Sequence, residues 1–232
     1  MNFTFGIVSN GKNYEHLNKC LESIINQKIK NSEIIVVGNL NKNEIVDNMK
    51  IKFIDFDENI KPGWITRKKN IITENSKYEN IVYLHDYLTF HKNWYKGFTK
   101  FGNNFEISMN KILNPNNTRY RDWTLWPHND CFMDEIIDDN ACLIPYRIKN
   151  LTEYMYISGA YWVAKKEIMK EFPLNENLTW GEGEDVEWSK QVRQKYEFKF
   201  NKYSIVKLQK YKNPQFKKIS RAQLRSIKKQ IN

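Results

Sequence analysis

The chain has 232 residues, and its 37 Lys and Arg outnumber its 27 Asp and Glu to give a formal charge of +10. With 41% hydrophobic and 14% aromatic residues it can bury a substantial core, which excludes disorder for the chain as a whole. No apolar run approaches the roughly 18 residues of a membrane helix, and the N-terminus lacks the basic and apolar regions of an export signal. The length favours one domain, and the positive charge favours anionic partners.

Cysteine and histidine are scarce. Cys20, Cys131 and Cys142 form no CxxC pair, and the sequence has four histidines. This composition predicts neither a disulfide framework nor a structural zinc site. It is typical of a reducing compartment, so we expect a cytoplasmic protein.

The first 90 residues alternate between short apolar runs and amphipathic segments. Strands are predicted at Phe3 to Ser9, Glu33 to Val37, Ile51 to Phe56 and Tyr78 to Leu84, and helices at Tyr14 to Gln27 and Ile65 to Glu74. This alternation predicts an α/β domain with a Rossmann-like, mostly parallel central sheet flanked by helices.

The second half is less regular. Residues 94 to 139 mix tryptophans with polar residues and lack periodicity, which predicts short strands and long loops. A strand with a Ser-Gly-Ala interruption at residues 158–160 is predicted at Tyr154 to Ala164, and helices at Lys165 to Phe172 and Asp185 to Tyr196. We therefore expect one domain over residues 1–212, followed by a basic tail at 213–232.

Polar side chains follow each predicted strand of the first half. They are Ser9, Asn10, Asn39, Asp57, His85 and Asp86. Ligands of an open parallel sheet bind outside the carboxyl ends of its strands, and Ser, Asn and Asp suit the base and ribose of a nucleoside. No GxGxxG or GxxxxGK[ST] motif is present, so phosphates would need another counter-charge. The candidates are the basic run Arg67-Lys68-Lys69 and a metal ion at Asp86.

The segments IVSNGKNYEHLNKCLESIINQ, EIIVVGN, GWITRKKN and IVYLHDY resemble, in this order, the nucleotide-sugar-binding half of GT-A fold glycosyltransferases, particularly family 2-like enzymes. Those enzymes commonly place a basic motif containing Asn about fifteen residues before an Asp-x-Asp that closes a strand. Here Asn70 precedes His85 by 15 residues, so His85-Asp86-Tyr87 falls on the Asp-x-Asp position with only its middle residue acidic. The resemblance makes Asn70, Arg67 and Lys68 donor-binding candidates.

The same resemblance implies a divalent cation. Asp86, with His85, would hold Mn²⁺ or Mg²⁺ against the donor diphosphate. Many metal-dependent relatives add a His in a late strand, where this chain has Lys207 in YSIVKL. A lysine there could neutralise the diphosphate without a metal, together with the Arg67 to Lys69 run.

The segment WGEGEDVEWS, from Trp180 to Ser189, is similar to the Trp-Gly-x-x-Glu-Asp segment near the acceptor site of many GT-A transferases, including galactosyltransferase-like enzymes. It implies an inverting enzyme in which Asp185 is the general base and Glu184 orients the acceptor. Carboxylates at a helix N-terminus are stabilised as anions, which suits this role. The resemblance also places Gly159, Trp180 and Gly181 at the donor sugar.

The resemblance thus implies a GT-A domain in which residues 1–90 bind the nucleotide sugar and residues 91–212 bind the acceptor. The expected activity is transfer of a hexosyl or hexosaminyl group from a UDP- or GDP-sugar to a glycan or lipid-linked hydroxyl. One alternative is an inactive carbohydrate-binding GT-A-like domain, which the incomplete Asp-x-Asp favours. Another is a basic nucleic-acid-binding protein, which the carboxylates between residues 182 and 187 disfavour because they repel a polyanion.

The basic tail permits two hypotheses. Residues 217 to 229 are rich in Lys and Arg, contain no acid, and space Ile219, Leu224 and Ile227 loosely along one helical face. Such a helix can lie on an anionic membrane surface, or it can be a terminal helix that is solvated or packs on the body of the domain.

Overall fold

The computed structural model describes residues 1–46, 51–125, 142–148, 154–214 and 216–231. The helices are α1 (Tyr14–Ile25), α2 (Ile65–Asn75), α3 (Trp94–Phe101), α4 (Lys166–Glu171), α5 (Glu184–Val192) and α6 (Arg221–Ile231), with a 3-10 turn at Lys42–Glu44. The strands are β1 (Phe3–Val8), β2 (Ser32–Gly38), β3 (Ile51–Asp55), β4 (Asn80–His85), β5 (Leu88–Phe90), β6 (Ile107–Leu113), β7 (Thr124–Leu125), β8 (Cys142–Leu143), β9 (Met155–Tyr156), β10 (Tyr161–Lys165), β11 (Phe198–Leu208) and β12 (Lys217–Lys218).

A mixed sheet forms the centre of the molecule. Within the described ranges it has eight strands in the order β3-β2-β1-β4-β10-β6-β11-β5. The four strands from β3 to β4 run parallel, whereas β10 is antiparallel to both β4 and β6. A second, small sheet has the order β12-β8-β7-β9. The predicted α/β architecture with a Rossmann-like first half is therefore confirmed.

The register of β10 decides what lies at the carboxyl edge of the parallel strands. Tyr161, the first residue of β10, pairs with Leu84 near the end of β4. Because the two strands are antiparallel, the residues that precede β10 lie beside those that follow β4. The amide of His85 accordingly donates to the carbonyl of Ala160 at 3.3 Å. The sheet thus brings the two halves of the chain together at one edge.

The core is built as the sequence pattern predicts. All six residues of β1 are buried, and α1 buries Leu17, Leu21 and Ile24 at three- and four-residue spacings. Helix α2 differs because its buried face includes Lys68, Lys69 and Asn70. Buried lysines need compensating partners, so this helix contributes more than packing.

One prediction about the second half is corrected. Residues from 94 onward were expected to form short strands and loops, but α3 begins at Trp94 and buries Trp94, Gly97 and Phe98. Gly97 is needed there because a Cβ would lie 2.5 Å from the Ser204 hydroxyl oxygen, so the helix packs very closely on β11. The segment from Tyr154 to Ala164 forms two strands, β9 and β10, and the turn between them contains the predicted Ser-Gly-Ala interruption. The expected loop residues from 126 to 139 lie outside the described part of the chain.

The basic tail contacts the rest of the molecule. Strand β12 pairs in parallel with β8, and Leu224 in α6 is only 9% exposed. Ser220 and Gln223 form a capping box, in which each backbone amide donates to the other residue's side-chain oxygen. No helix within the described residues is both long and apolar enough to cross a membrane.

Candidate active site

Two adjoining cavities open at the carboxyl edge of the parallel strands. The larger cavity has a volume of about 670 Å³, and its lining includes Ser9, Asn10, Asn39 and Lys68. The smaller cavity, of about 220 Å³, is lined on one side by Gly159, Gly181, Glu184 and Asp185 and on the other by Tyr120 and Arg121. Four residues line both cavities, so the two spaces share a wall: His85, Tyr87, Trp180 and Lys212.

Asp86 lines the larger cavity. The buried Ser9 hydroxyl donates to its Oδ2 at 2.6 Å, and the Gln209 side-chain amide donates to its backbone carbonyl at 3.3 Å. Burial raises the pKa of the Asp86 carboxyl, while the Ser9 hydrogen bond and the nearby Lys68 and Lys212 act in the opposite direction. The first and fourth strands thus supply a hydrogen-bonded carboxylate to the cavity, as the sequence predicts.

The three consecutive cations of α2 point in different directions, because successive helical residues are rotated by about 100°. Arg67 donates to Glu74 at 2.7 Å and to Glu176 at 3.1 Å, away from both cavities. Lys68 donates to the Ser9 carbonyl at 2.9 Å, forms an ion pair with Glu58, and lines the larger cavity. Lys69 is fully buried and donates to the Gly159 carbonyl at 3.0 Å, beneath the smaller cavity.

In the wall between the cavities, the Tyr87 ring contacts both the His85 imidazole and the Lys212 ammonium group. The rings of His85 and Tyr87 are nearly parallel, with centroids 5.1 Å apart. The Lys212 Nζ lies 3.5 Å from the centroid of the Tyr87 ring. Burial, and then repulsion from Lys69 and Lys212, lowers the pKa of His85 well below its usual value, so its imidazole is neutral. Burial also lowers the pKa of the half-buried Lys212.

An acidic pair begins helix α5 on the far side of the smaller cavity. The chain enters the helix through Gly183, whose φ of +76° is in the left-handed region that favours glycine. The Gly159 amide donates to Asp185 Oδ2 at 2.7 Å. Glu184 is 6% exposed, and its pKa is raised by burial, lowered by Lys69 and raised by Asp185. The helix N-terminus favours negative charge on both side chains.

Position 159 requires glycine because its backbone lies very close to this acidic pair. A Cβ at this position would lie 2.9 Å from Glu184 Oε1 and 3.2 Å from Asp185 Oδ2. No side chain fits there without displacing a carboxylate. The Ser-Gly-Ala interruption before β10 therefore makes room for the acidic pair.

Trp180 stands at the rim of both cavities. Its side chain is 67% exposed, although its amide donates to the Gly63 carbonyl at 2.9 Å and so fixes the backbone. An exposed indole on a fixed backbone offers an apolar face on which a ring can stack. The buried tryptophans Trp94, Trp123, Trp162 and Trp188 belong to the core instead.

Five residues that the sequence suggested as donor or phosphate contacts lie outside both cavities, and the buried Lys69 described above is one of them. Arg67 makes the surface ion pairs described above, and the exposed Asp57 accepts hydrogen bonds from Asn59. Asn70 is buried and holds the backbone of Leu174 through two hydrogen bonds of 2.9 and 3.0 Å. Lys207 donates to Asn117 at 2.7 Å on an exposed part of β11.

The sequence also missed residues that line the cavities. Lys212 lies four residues beyond the end of β11, where Asn114 fixes its backbone through hydrogen bonds of 2.8 and 3.0 Å. The sequence does predict a cation near the last strand. It favours Lys207 because that residue lies within the strand. Tyr120 and Arg121 carry no motif and enter the smaller cavity from an irregular segment. The guanidinium group of Arg121 lies 4.7 Å from the centroid of the Phe216 ring, so a residue beyond 212 supports this part of the smaller cavity.

Few side chains at this site can serve as ligands of a cation. Within the described ranges no group of three or more His, Cys, Asp and Glu side chains is placed to hold a metal ion. The larger cavity offers the Asp86 carboxylate and the neutral His85 imidazole. Mg²⁺ and Mn²⁺ are commonly bound by one or two carboxylates together with substrate phosphates, so these residues fit a cation that arrives with a diphosphate.

No protein-family model matches this sequence, and no curated protein sequence matches it. The folded chain nevertheless resembles solved structures. S. aureus TarS residues 1–349 superposes with a TM-score of 0.60 at 13% identity, over 88% of this chain and 60% of TarS 1–349. The same TarS fragment in complex with UDP gives a TM-score of 0.60 at 13% identity, over 90% of this chain and 61% of the fragment.

GalNAc-T7, solved with UDP, GalNAc and Mn²⁺, gives a TM-score of 0.65 at 14% identity, over 94% of this chain and 45% of its own. These neighbours are GT-A-type glycosyltransferases. The chain therefore has a GT-A-like fold, which confirms the fold that the sequence resemblance implied. It spans about 60% of the length of the TarS fragment that it matches.

Proposed function

We propose that this protein is a glycosyltransferase that moves a hexosyl or hexosaminyl group from a nucleotide sugar to a hydroxyl acceptor. The observation that carries the proposal is the shared wall between two different cavities. One contains Asp86, Lys68 and Lys212, and the other contains the acidic pair Glu184 and Asp185. A group bound across the wall would have its leaving diphosphate among cations and its reacting carbon near a carboxylate.

The larger cavity is our candidate for the nucleoside diphosphate. Ser9, Asn10 and Asn39 offer hydrogen-bonding groups to a base and ribose, and Lys68 and Lys212 offer positive charge to phosphates. UDP accompanies TarS in one neighbouring structure and GalNAc-T7 in another, which makes a UDP-sugar the first donor to test, with a GDP-sugar second. Asp57, Arg67 and Asn70 have no place in this arrangement.

A divalent cation, Mn²⁺ or Mg²⁺, is the proposed cofactor. Asp86 and His85 would hold it at the larger cavity, and when bound it would stabilise negative charge on the departing diphosphate. Lys68 and Lys212 line the same cavity and would share that electrostatic task. GalNAc-T7 was solved with Mn²⁺, which supports testing that metal first.

Asp185 is the proposed general base. An acceptor hydroxyl in the smaller cavity would lose its proton to Asp185 as its oxygen bonds to the anomeric carbon, while the bond from that carbon to the diphosphate oxygen breaks. Glu184 would orient the acceptor, and Trp180 and Gly181 would border the sugar. Attack from the side opposite the leaving group inverts the anomeric configuration. The stereochemistry of the product bond, determined by NMR, tests this point separately.

The acceptor is proposed to be a glycan or a lipid-linked hydroxyl. The exposed Trp180 rim suits a sugar ring, and the stripe Arg221, Arg225 and Lys229 lies exposed along α6. Such a stripe attracts anionic lipid by about 1 kcal/mol per cation.

The replacement of Arg221, Arg225 and Lys229 by Gln is expected to reduce co-sedimentation with anionic liposomes at low salt. The matched control replaces Lys92, Lys96 and Lys100, which are exposed at the same spacing on and before α3; equal binding by both variants would exclude α6.

An inactive carbohydrate-binding domain is the second candidate, because only one residue of the His85-Asp86-Tyr87 segment is acidic. The deciding experiment incubates the full chain with a panel of UDP- and GDP-sugars, Mn²⁺ and glycan acceptors, and measures release of nucleoside diphosphate. We expect release from one donor and its dependence on an acceptor. Saturable sugar binding without any release would support the inactive domain instead.

A further inference from the structure

Lys69 is a buried cation to which the proposed chemistry assigns no role. Its side chain has 0% exposure and reaches neither cavity, so no substrate can touch it. Its Nζ donates one hydrogen bond, to the Gly159 carbonyl at 3.0 Å, and lies 4.5 Å from the centroid of the Trp162 ring. A buried ammonium group is costly unless its surroundings compensate it.

The compensation comes from the acidic pair, through Gly159. This residue's carbonyl accepts from Lys69, and its amide donates to Asp185 Oδ2 at 2.7 Å. A Cβ on Gly159 would also lie 2.9 Å from Glu184 Oε1, so Glu184 packs against the same residue. One glycine is therefore held between a buried cation on one side and two carboxylates on the other.

From this geometry we infer that Lys69 is a positioning residue for the acidic pair. Its ammonium group fixes the Gly159 peptide from beneath the smaller cavity, and Gly159 in turn fixes Asp185 at the reacting hydroxyl. The same fixed charge favours the ionised form of Glu184. The inference rests on the proposed function for its effect on rate, but not for its effect on the carboxylates.

The decisive variant is Lys69→Met, which keeps the volume of the side chain and removes its charge. We expect kcat to fall about 10- to 100-fold, because small misplacements of a reacting group cost about that much. UDP affinity is expected to stay within about 2-fold, because Lys69 lies outside the larger cavity. The midpoint of thermal unfolding should stay level or rise, since an apolar residue replaces a buried charge.

A readout independent of turnover is the titration of Glu184, followed by carboxyl NMR and assigned with Glu184→Gln. Loss of the nearby cation is expected to raise the pKa of Glu184 further. The other charged or titratable groups near the pair are unchanged in the variant; they are Tyr87, Tyr120, Tyr156, His85, Arg121 and Lys212. A shift of the titration can therefore be assigned to Lys69.

Lys100→Met is the matched control, because Lys100 also lies 4.5 Å from an aromatic centroid, that of Tyr203, but on the exposed side of α3. It should leave all four measurements unchanged. Unchanged kcat and an unchanged Glu184 titration in Lys69→Met would overturn the inference, as would a loss of stability that accounts for the lost activity. If the wild-type protein releases no nucleoside diphosphate, the proposed function fails, and the NMR titration still decides whether Lys69 acts on the carboxylates.

Discussion

The two cavities differ in how they are built. The larger one is formed mostly by α2 and by residues that follow β1, β2, β3 and β4, all within the first 90 residues. The smaller one joins the turn before β10, the start of α5 and an irregular segment at Tyr120 and Arg121, which are far apart in the sequence. The first is a product of local βαβ order, whereas the second depends on the antiparallel placement of β10. On the proposed function, we expect changes in the larger cavity to alter donor affinity and changes in the smaller cavity to alter kcat.

The largest expected effect belongs to the smaller cavity. Asp185→Asn removes the proposed base while keeping an oxygen able to accept the Gly159 hydrogen bond. We expect kcat to fall by about 10²-fold or more, as for the loss of a general base, with UDP affinity unchanged. Steady-state kinetics measure the fall in kcat, and calorimetric titration with UDP measures the affinity. Retention of more than about a tenth of the wild-type kcat would assign the base elsewhere.

The next effect separates a cation from the lysines in the larger cavity. We expect excess EDTA to lower transferase activity by about 10-fold or more, and added Mn²⁺ to restore it, because the metal stabilises the leaving diphosphate. Asp86→Asn should abolish the response to Mn²⁺. The activity is measured as nucleoside diphosphate release across a Mn²⁺ titration. Full activity in EDTA would transfer the role to Lys68 and Lys212.

A smaller effect tests which late lysine serves the larger cavity. Lys212→Met should weaken UDP binding about 10-fold and leave uridine binding unchanged, since only UDP carries phosphates for the lysine to contact. Lys207→Met is the matched control, because Lys207 lies near the end of β11, five residues before Lys212, but donates to Asn117 outside the cavity. Calorimetric titrations of both variants with both ligands check this. Equal UDP affinity of Lys212→Met and wild type would remove Lys212 from the donor site.

The same contrast explains what the sequence could predict. The strands and helices of the first half are confirmed to within about two residues, because their apolar periodicity is strong and each polar cluster directly follows a strand. The direction of each α2 side chain could not be predicted in the same way. Burial of Lys69 depends on Gly159 and Trp162, which belong to another strand and to the turn before it.

Lys212 was missed for a related reason. Its place at the wall follows from the backbone hydrogen bonds that Asn114 makes to it across 98 residues of sequence. Likewise, α3 was not predicted because its short, aromatic face has only a few residues in which to show a helical period. Long-range contacts of this kind override local pattern. Of the four residues that line both cavities, Lys212 is therefore the one that sequence reasoning did not reach.

The smallest effect concerns the free energy of unfolding. It tests whether the buried acidic pair of the smaller cavity destabilises the folded protein. The pKa of Glu184 is raised in the folded protein by burial and by Asp185, so the folded state holds this proton more tightly than the unfolded state does. The stability that this proton contributes is full below the ordinary pKa of Glu and is lost as pH rises through the raised value. Glu184→Gln removes that loss, so we expect its free energy of unfolding at pH 8 to exceed that of wild type by on the order of 1 kcal/mol. The difference should shrink toward pH 4, as measured by urea unfolding at both pH values.

The control for this last experiment is Glu182→Gln, two residues earlier in the same segment. Glu182 is exposed and accepts hydrogen bonds from the backbone amide and hydroxyl of Thr179, which lower its pKa. The sign is therefore opposite: its ionised form is favoured in the folded state, and Glu182→Gln should give no gain of stability at pH 8. A gain in Glu184→Gln alone would show that burial of one carboxylate, rather than the crowding of acids in WGEGED, opposes folding at this site. Equal stability of Glu184→Gln and wild type at both pH values would mean that the fold holds the pair without cost, and that its position alone determines how it acts.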